Sequence, residues 1–183
     1  IRNNTRYEFS DWEISEMTPD RRRLLSGDLM ELAASEIKSR SDYKAAVKYL
    51  ETALRLTPQN TGVMTELADA YYILDRNEES IYLITRANAI DGRADLRAYT
   101  LGRNRFALGH HNDAKKEFKK ILEREPNRPD VQLYLGRTYR ELGEYHAAVK
   151  ALKESIADNS ESGIALFHLA WCLDRIGSRA EAM

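Results

Sequence analysis

Residues 129–162 read PDVQLYLGRTYRELGEYHAAVKALKESIADNSES, and the rest of the chain becomes legible from them. Apolar residues keep helical spacing through Leu135 and Tyr139, pause at Leu142-Gly143, and resume through Ala148, Leu152 and Ile156. The spacing predicts a helix, a tight turn and a second helix. Gly136 in the first helix and Ala148 in the second are small enough to let two backbones approach closely, while Leu135 and Leu152 fill the space beside them.

The same order recurs every 34 residues. Ala34, Ala68, Gly102, Gly136 and Ala170 form one column; Ala46, Ser80, Ala114, Ala148 and Ala182 form a second. Gly, Ala and Ser are roughly a quarter of an average chain, so ten of ten by chance has odds on the order of one in a million. Ala33, Leu67, Leu101, Leu135 and Leu169 make an apolar column beside the first. Turn residues separate the helices at Ser41-Asp42, Asp75-Arg76-Asn77, Gly109-His110 and Leu142-Gly143, and Pro58, Gly92 and Pro126 close successive pairs. One helix pair cannot bury its apolar faces alone, so neighbouring pairs must stack.

These columns resemble the tetratricopeptide repeat family. Leu135-Gly136, Tyr139, Gly143, Tyr145, Ala148 and Leu152 fall on its signature positions, as do Ala34, Tyr43, Ala46, Leu50, Ala53 and Pro58. The resemblance implies an all-α fold, a right-handed superhelical solenoid of antiparallel helix pairs. It covers repeats 27–60, 61–94, 95–128 and 129–162 with a partial repeat at 163–183, inside an array spanning 18–183. Arg105 departs from the pattern, standing where an apolar residue is usual, with Phe106 beside it to take over part of the packing. The third repeat is therefore the expected weak point. Asn88, Ser155 and Gly92 are smaller departures.

Outside the repeats, Thr18-Pro19-Asp20 reads as a helix start that runs into the first repeat. Residues 1–17 are expected to be an extended N-terminal segment whose aromatics, among Tyr7, Phe9 and Trp12, pack on the first helix pair. Arg21-Arg22-Arg23 reads as a solvated helix face. In the partial fifth repeat Leu166, Phe167, Leu169, Trp171 and Leu173 are too apolar to stay open, so further chain or another molecule is expected to cover them. Self-association through that open C-terminal repeat is one way to do so.

Composition bounds the function. The 28 basic and 29 acidic side chains give net charge −1, which argues against a phosphate backbone as the main partner, so no nucleic acid is expected. No apolar run is long enough to span a membrane. Cys172, the single cysteine, excludes an internal disulfide and a multi-cysteine zinc site, and it fits a cytoplasmic chain as well as a periplasmic or secreted one. The chain starts at Ile1 without a signal pattern and reads as a fragment.

Catalytic chemistry is not expected. No glycine-rich phosphate loop is present. His110, His111 and His146 fall in turns and lack a fourth metal ligand. His168 and Cys172 stand one helical turn apart, but the repeat register buries Cys172 between Leu169 and Leu173. Glu78-Glu79 sits at a helix start, where negative charge is favourable. No catalytic, cofactor-binding or metal site is assigned, and no cofactor is implied.

The resemblance implies instead that the first helix of each repeat lines a concave groove. Its positions read Asp28, Glu31, Ser35, Lys38 and Ser39 at first, then Gly62, Thr65, Asp69, Tyr72 and Ile73. Further along, the groove turns to arginine and aromatics. Tyr99, Arg103, Phe106, Tyr134, Arg137, Arg140, Phe167 and Trp171 are the expected partner-binding residues. Arginine beside exposed aromatics is the composition of binding hot spots. The positions that would carry a chaperone-type carboxylate clamp hold other residues, for instance Glu31, Ser35 and Glu66, so that specialisation is not expected. The expected function is a non-catalytic scaffold that binds a protein or peptide segment of acidic and apolar character. Two alternatives are the regulatory or substrate-guiding arm of a larger enzyme, and a self-assembling structural scaffold.

Overall fold

The computed structural model describes residues 7–157 and 163–177. Every regular element among the described residues is an α-helix, and the chain divides into two compact units, residues 1–93 and 94–183. The first unit holds α1 (Asp11–Glu16), α2 (Pro19–Arg40), α3 (Tyr43–Leu56), α4 (Thr61–Ile73) and α5 (Asn77–Asp91). The second holds α6 (Ala94–Ala107), α7 (His111–Arg124), α8 (Pro129–Glu141), α9 (Tyr145–Ile156) and α10 (Gly163–Arg175). From α2 to α9 successive helices pack as hairpins, α2 on α3, α4 on α5, α6 on α7 and α8 on α9. The fold is an all-α helical-repeat solenoid.

The period is written into the turns. Ser41, Asp75, Gly109, Gly143 and Gly177 all have positive φ, from 53° to 82°, and stand 34 residues apart. A left-handed residue stops one helix and turns the chain into the next. After it, the N–H groups of Arg76, His110 and Glu144 each reach back five residues, to the carbonyls of Tyr71, Arg105 and Tyr139.

The small columns sit where two helices touch. A Cβ on Gly102 would lie 2.6 Å from Cε1 of Phe118, and one on Gly136 would lie 2.6 Å from Cγ of Leu152. Ala46, Ala114 and Ala148 are fully buried, and Ser80 keeps its place by donating its hydroxyl to the carbonyl of Ala68 at 2.7 Å. Ala182 lies outside the described residues.

The first hairpin needs a correction. Ala33 is buried there and Ala34 is exposed. The Asp42 N–H reaches back six residues, to Glu36, not five, so α2 carries one more residue before its turn. One residue is about 100° of helix rotation, which moves Ala33 into the contact and Ala34 out of it.

The N-terminal segment also differs from its expectation. Residues 11–16 are helical, not extended, because Ser10 and Glu13 form a capping box, each side chain bonding the other's backbone N–H. Ile14 and Met17 are buried, whereas Trp12 is 71% exposed. The aromatic packing is made by Tyr7, edge-on to Tyr49 with ring centres 6.4 Å apart. Arg55 on α3 donates to the Phe9 carbonyl at 2.9 Å and to Asp11 at 2.6 Å. Thr18 caps α2 with Pro19 in its first turn, as the sequence implies. Of the arginine triplet, Arg22 is not simply solvated: it donates to the Met17 and Ser15 carbonyls and ties α1 to α2.

Arg105 finds a partner in Glu117, at 2.8 Å across the α6/α7 hairpin, with side chains 30% and 11% exposed. Phe106 packs against the buried cluster of Ala114, Phe118, Val131, Leu135 and Ala151. The third repeat thus substitutes an ion pair for apolar contact.

Candidate functional site

The eight residues expected to bind a partner all belong to the second unit, on α6, α8 and α10. Helical periodicity places them on the side of each first helix that is not sealed against its own second helix. None is fully buried. Phe167 is 64% exposed, and the other seven are half-buried.

Seven of the eight make a ring contact with another of the eight. Tyr99 and Tyr134 meet edge to face at 5.9 Å, and Phe106 meets Tyr134 at 6.1 Å. These rings also lean on the buried cluster beneath, so they fill the core and pave the surface together. The Arg103 guanidinium lies 4.7 Å from the Tyr99 ring centre. Arg137 lies between two rings, 4.8 Å from Phe106 and 5.0 Å from Tyr134. Such stacking holds a guanidinium while leaving donors at its edge. Burial first, and then the Asp130 carboxylate, push the Tyr99 hydroxyl up to about 12, so it stays protonated.

Arg140 and Trp171 pair with each other at 5.4 Å, as a second group around α10. Arg140 is already engaged. It donates to Glu141, and its Nη1 bonds Nδ1 of His168 at 2.6 Å. His168 is only 8% exposed. Burial, then Arg140 and Arg137, lower its pKa to about 4, so the ring is neutral and Nδ1 accepts from the arginine. Phe167 meets His168 edge to face at 5.3 Å.

Three further residues take part, and the repeat register already places Glu141 and Arg175 at groove positions. Arg175, one turn beyond Trp171, lies 4.8 Å from its ring centre. His168, one turn from Cys172 in sequence, serves Arg140 instead. Glu141, the neighbour of Arg140, is its counter-charge. Cys172 is fully buried, and burial pushes its thiol up, away from the reactive thiolate. Among the described residues no cluster of histidine, cysteine and carboxylate groups could hold a metal ion.

The first unit's corresponding face is different. Asp28, Glu31, Ser35 and Lys38 are exposed, and burial first, then nearby Asp69, raise the Glu66 pKa. Two cavities lie elsewhere. One of about 620 Å³ is lined by Leu54, Leu67, Tyr71 and Tyr82 together with Arg55 and Arg86. A counterpart of about 300 Å³ in the second unit has Leu122, Leu135 and Tyr139 with Lys119 and Lys150. No helix among the described residues is long and apolar enough to cross a membrane.

With this geometry in place, comparison with known proteins gives the class. Tetratricopeptide repeat profiles match residues 38–94 and 105–159, together more than half of the chain. The chain belongs to the tetratricopeptide repeat family, whose members are in general non-catalytic scaffolds that bind protein partners.

Among individual proteins, the chain is similar to cell division cycle protein 27 homolog A of Arabidopsis thaliana, 25% identical over 95 residues. That match takes in 52% of this chain but 13% of the plant protein's length. In three dimensions the chain is similar to a crystal structure of MamA protein, with TM-score 0.72 and 18% identity over 86% of each chain. MamA 41-end from Desulfovibrio magneticus RS-1 gives TM-score 0.76 and 13% identity, covering 86% of this chain and 88% of that one. At these identities the likeness is one of fold.

Proposed function

We propose that this chain is a non-catalytic interaction scaffold whose second unit captures a partner segment on the face of α6, α8 and α10. The segment carries an acidic side chain beside an apolar anchor. Arg137 carries this reading. Its guanidinium is stacked on Phe106 and Tyr134, and its Nε is buried without a hydrogen-bond partner. A buried donor left unsatisfied costs free energy, so an incoming carboxylate gains more there than at a solvated arginine. Exposed Phe167 and Ile164 supply apolar surface on α10 for the anchor.

The test is affinity capture from the source lysate with quantitative mass spectrometry, using wild type, Arg137→Glu and Lys48→Glu. Lys48 is exposed on α3 and serves as the control. At least one protein captured by wild type and by Lys48→Glu should fall about tenfold or more with Arg137→Glu, the scale of one lost charge-assisted hydrogen bond. Equal capture by all three would remove the site assignment and leave the fold untouched.

A further inference from the structure

The geometry points to a selectivity rule on this face: Glu141 neutralises Arg140, so the face admits a segment with one acidic side chain, at Arg137, and disfavours a run of acidic residues. This rests on reading the face as a peptide site. From α6 to α9 the cations around it are mostly committed, while Arg175 on α10 lies over Trp171. Arg105 is held by Glu117 at 2.8 Å, Lys115 by Glu144 at 2.7 Å, and Arg128 by Asp130 and Glu125 at 2.8 and 3.0 Å. Arg140 follows the same rule, with Glu141 on one nitrogen and His168 on another.

Arg137 differs from them. Among the described residues no carboxylate pairs with it, and its Nε has no hydrogen-bond partner. A first ligand carboxylate therefore meets an unmatched cation. A second, reaching toward Arg140, meets Glu141, and must either displace it or sit beside a like charge. His168 adds no positive charge to offset this, since it accepts a hydrogen bond as a neutral ring. Glu141 thereby acts as a specificity-determining residue without being required for the first contact.

The rule is tested by fluorescence anisotropy on the full chain with two labelled synthetic peptides of equal length. Both are built from Leu, Phe and Gly; one carries a single central Glu and the other three consecutive Glu. Wild type should bind the single-Glu peptide more tightly. In Glu141→Gln the three-Glu peptide should gain about tenfold while the single-Glu peptide changes less than about twofold, as expected for one newly available charge-assisted contact. Arg137→Gln should weaken both, with circular dichroism confirming that each variant keeps its helices. An unchanged affinity ratio in Glu141→Gln, with both peptides bound, overturns the selectivity rule alone, as does a wild-type preference for the three-Glu peptide. If neither peptide binds wild type, the reading of the face falls and the rule falls with it.

Discussion

The α6/α7 and α8/α9 hairpins solve one packing problem in two ways. Both are closed at a glycine, Gly102 against Phe118 and Gly136 against Leu152, with the same 2.6 Å limit on any added Cβ. One turn further on they part. Where α8/α9 has Tyr139 and Ala151, α6/α7 has Arg105 and Glu117, paired at 2.8 Å. The α4/α5 hairpin has Tyr71 and Leu83 at those positions. The glycine contact is steric: the Phe118 and Leu152 side chains occupy the space a Cβ would need. The contact beside it requires only that the space be filled and its polar atoms satisfied, which a half-buried ion pair also does.

Truncating the large partner of each glycine should produce the greatest effect and show how far the hairpins are alike. Phe118→Ala removes the ring under Gly102 and also the neighbour of Tyr99 and Tyr134, whose ring centres lie 6.4 and 5.7 Å away. It should cost about 3–5 kcal/mol, and Leu152→Ala about 2–5 kcal/mol, the usual ranges for such deletions in a core. Native-state hydrogen exchange is the appropriate measurement, because a repeat array need not unfold in one step. Protection should be lost first in α6 and α7 for the former variant and in α8 and α9 for the latter. Loss spread evenly over both would mean that the hairpins do not hold separately.

A smaller effect separates the hairpins. Glu117→Ala leaves Arg105 without its carboxylate in a half-buried place and should destabilise by about 1–3 kcal/mol, below a fully buried pair because Arg105 keeps some solvent. The double variant Arg105→Tyr, Glu117→Ala copies α8/α9 and should return to within about 1 kcal/mol of wild type, since apolar replacement of an ion pair is often neutral or better. Denaturant melts of the single and double variants decide it. A double variant no more stable than the single one would show that the third repeat depends on the charge pair itself.

That pairing marks the limit of what the sequence discloses. The period was legible because left-handed turns and small residues obey local rules, and Ser41, Asp75 and Gly109 satisfy them in plain sight. Arg105 alone looked like a defect. Comparing columns 34 residues apart at two positions would have shown Arg105 and Glu117 departing together, and that covariation within one chain was available. Ala33 taking the place of Ala34 was not, since it follows from one extra residue before a turn. The capping box at Ser10 and Glu13 was legible but was masked by alternating aromatics. At the candidate site, composition identified the surface but not the state of its charges. Whether an arginine is spoken for depends on a rotamer and on a histidine from another helix, as Arg140 and His168 show.

A further difference comes from pH, and it should fall on the α8 side. In the folded chain burial, with Arg140 and Arg137 nearby, holds the His168 pKa at about 4, against an ordinary value of 6.5. Between these values the ring is neutral when folded and protonated when unfolded, so the unfolded state binds the extra proton. The stabilisation is complete above pH 6.5 and is lost as pH falls through 4. Over that window α8 and α10 should lose hydrogen-exchange protection before α6 and α7, where the Arg105–Glu117 pair involves no histidine. His168→Gln, which keeps an acceptor for Arg140 but cannot titrate, should flatten this part of the profile. If the slope between pH 6.5 and 4 survives the substitution, the proton is taken up elsewhere, and the contrast between the two hairpins is one of packing alone.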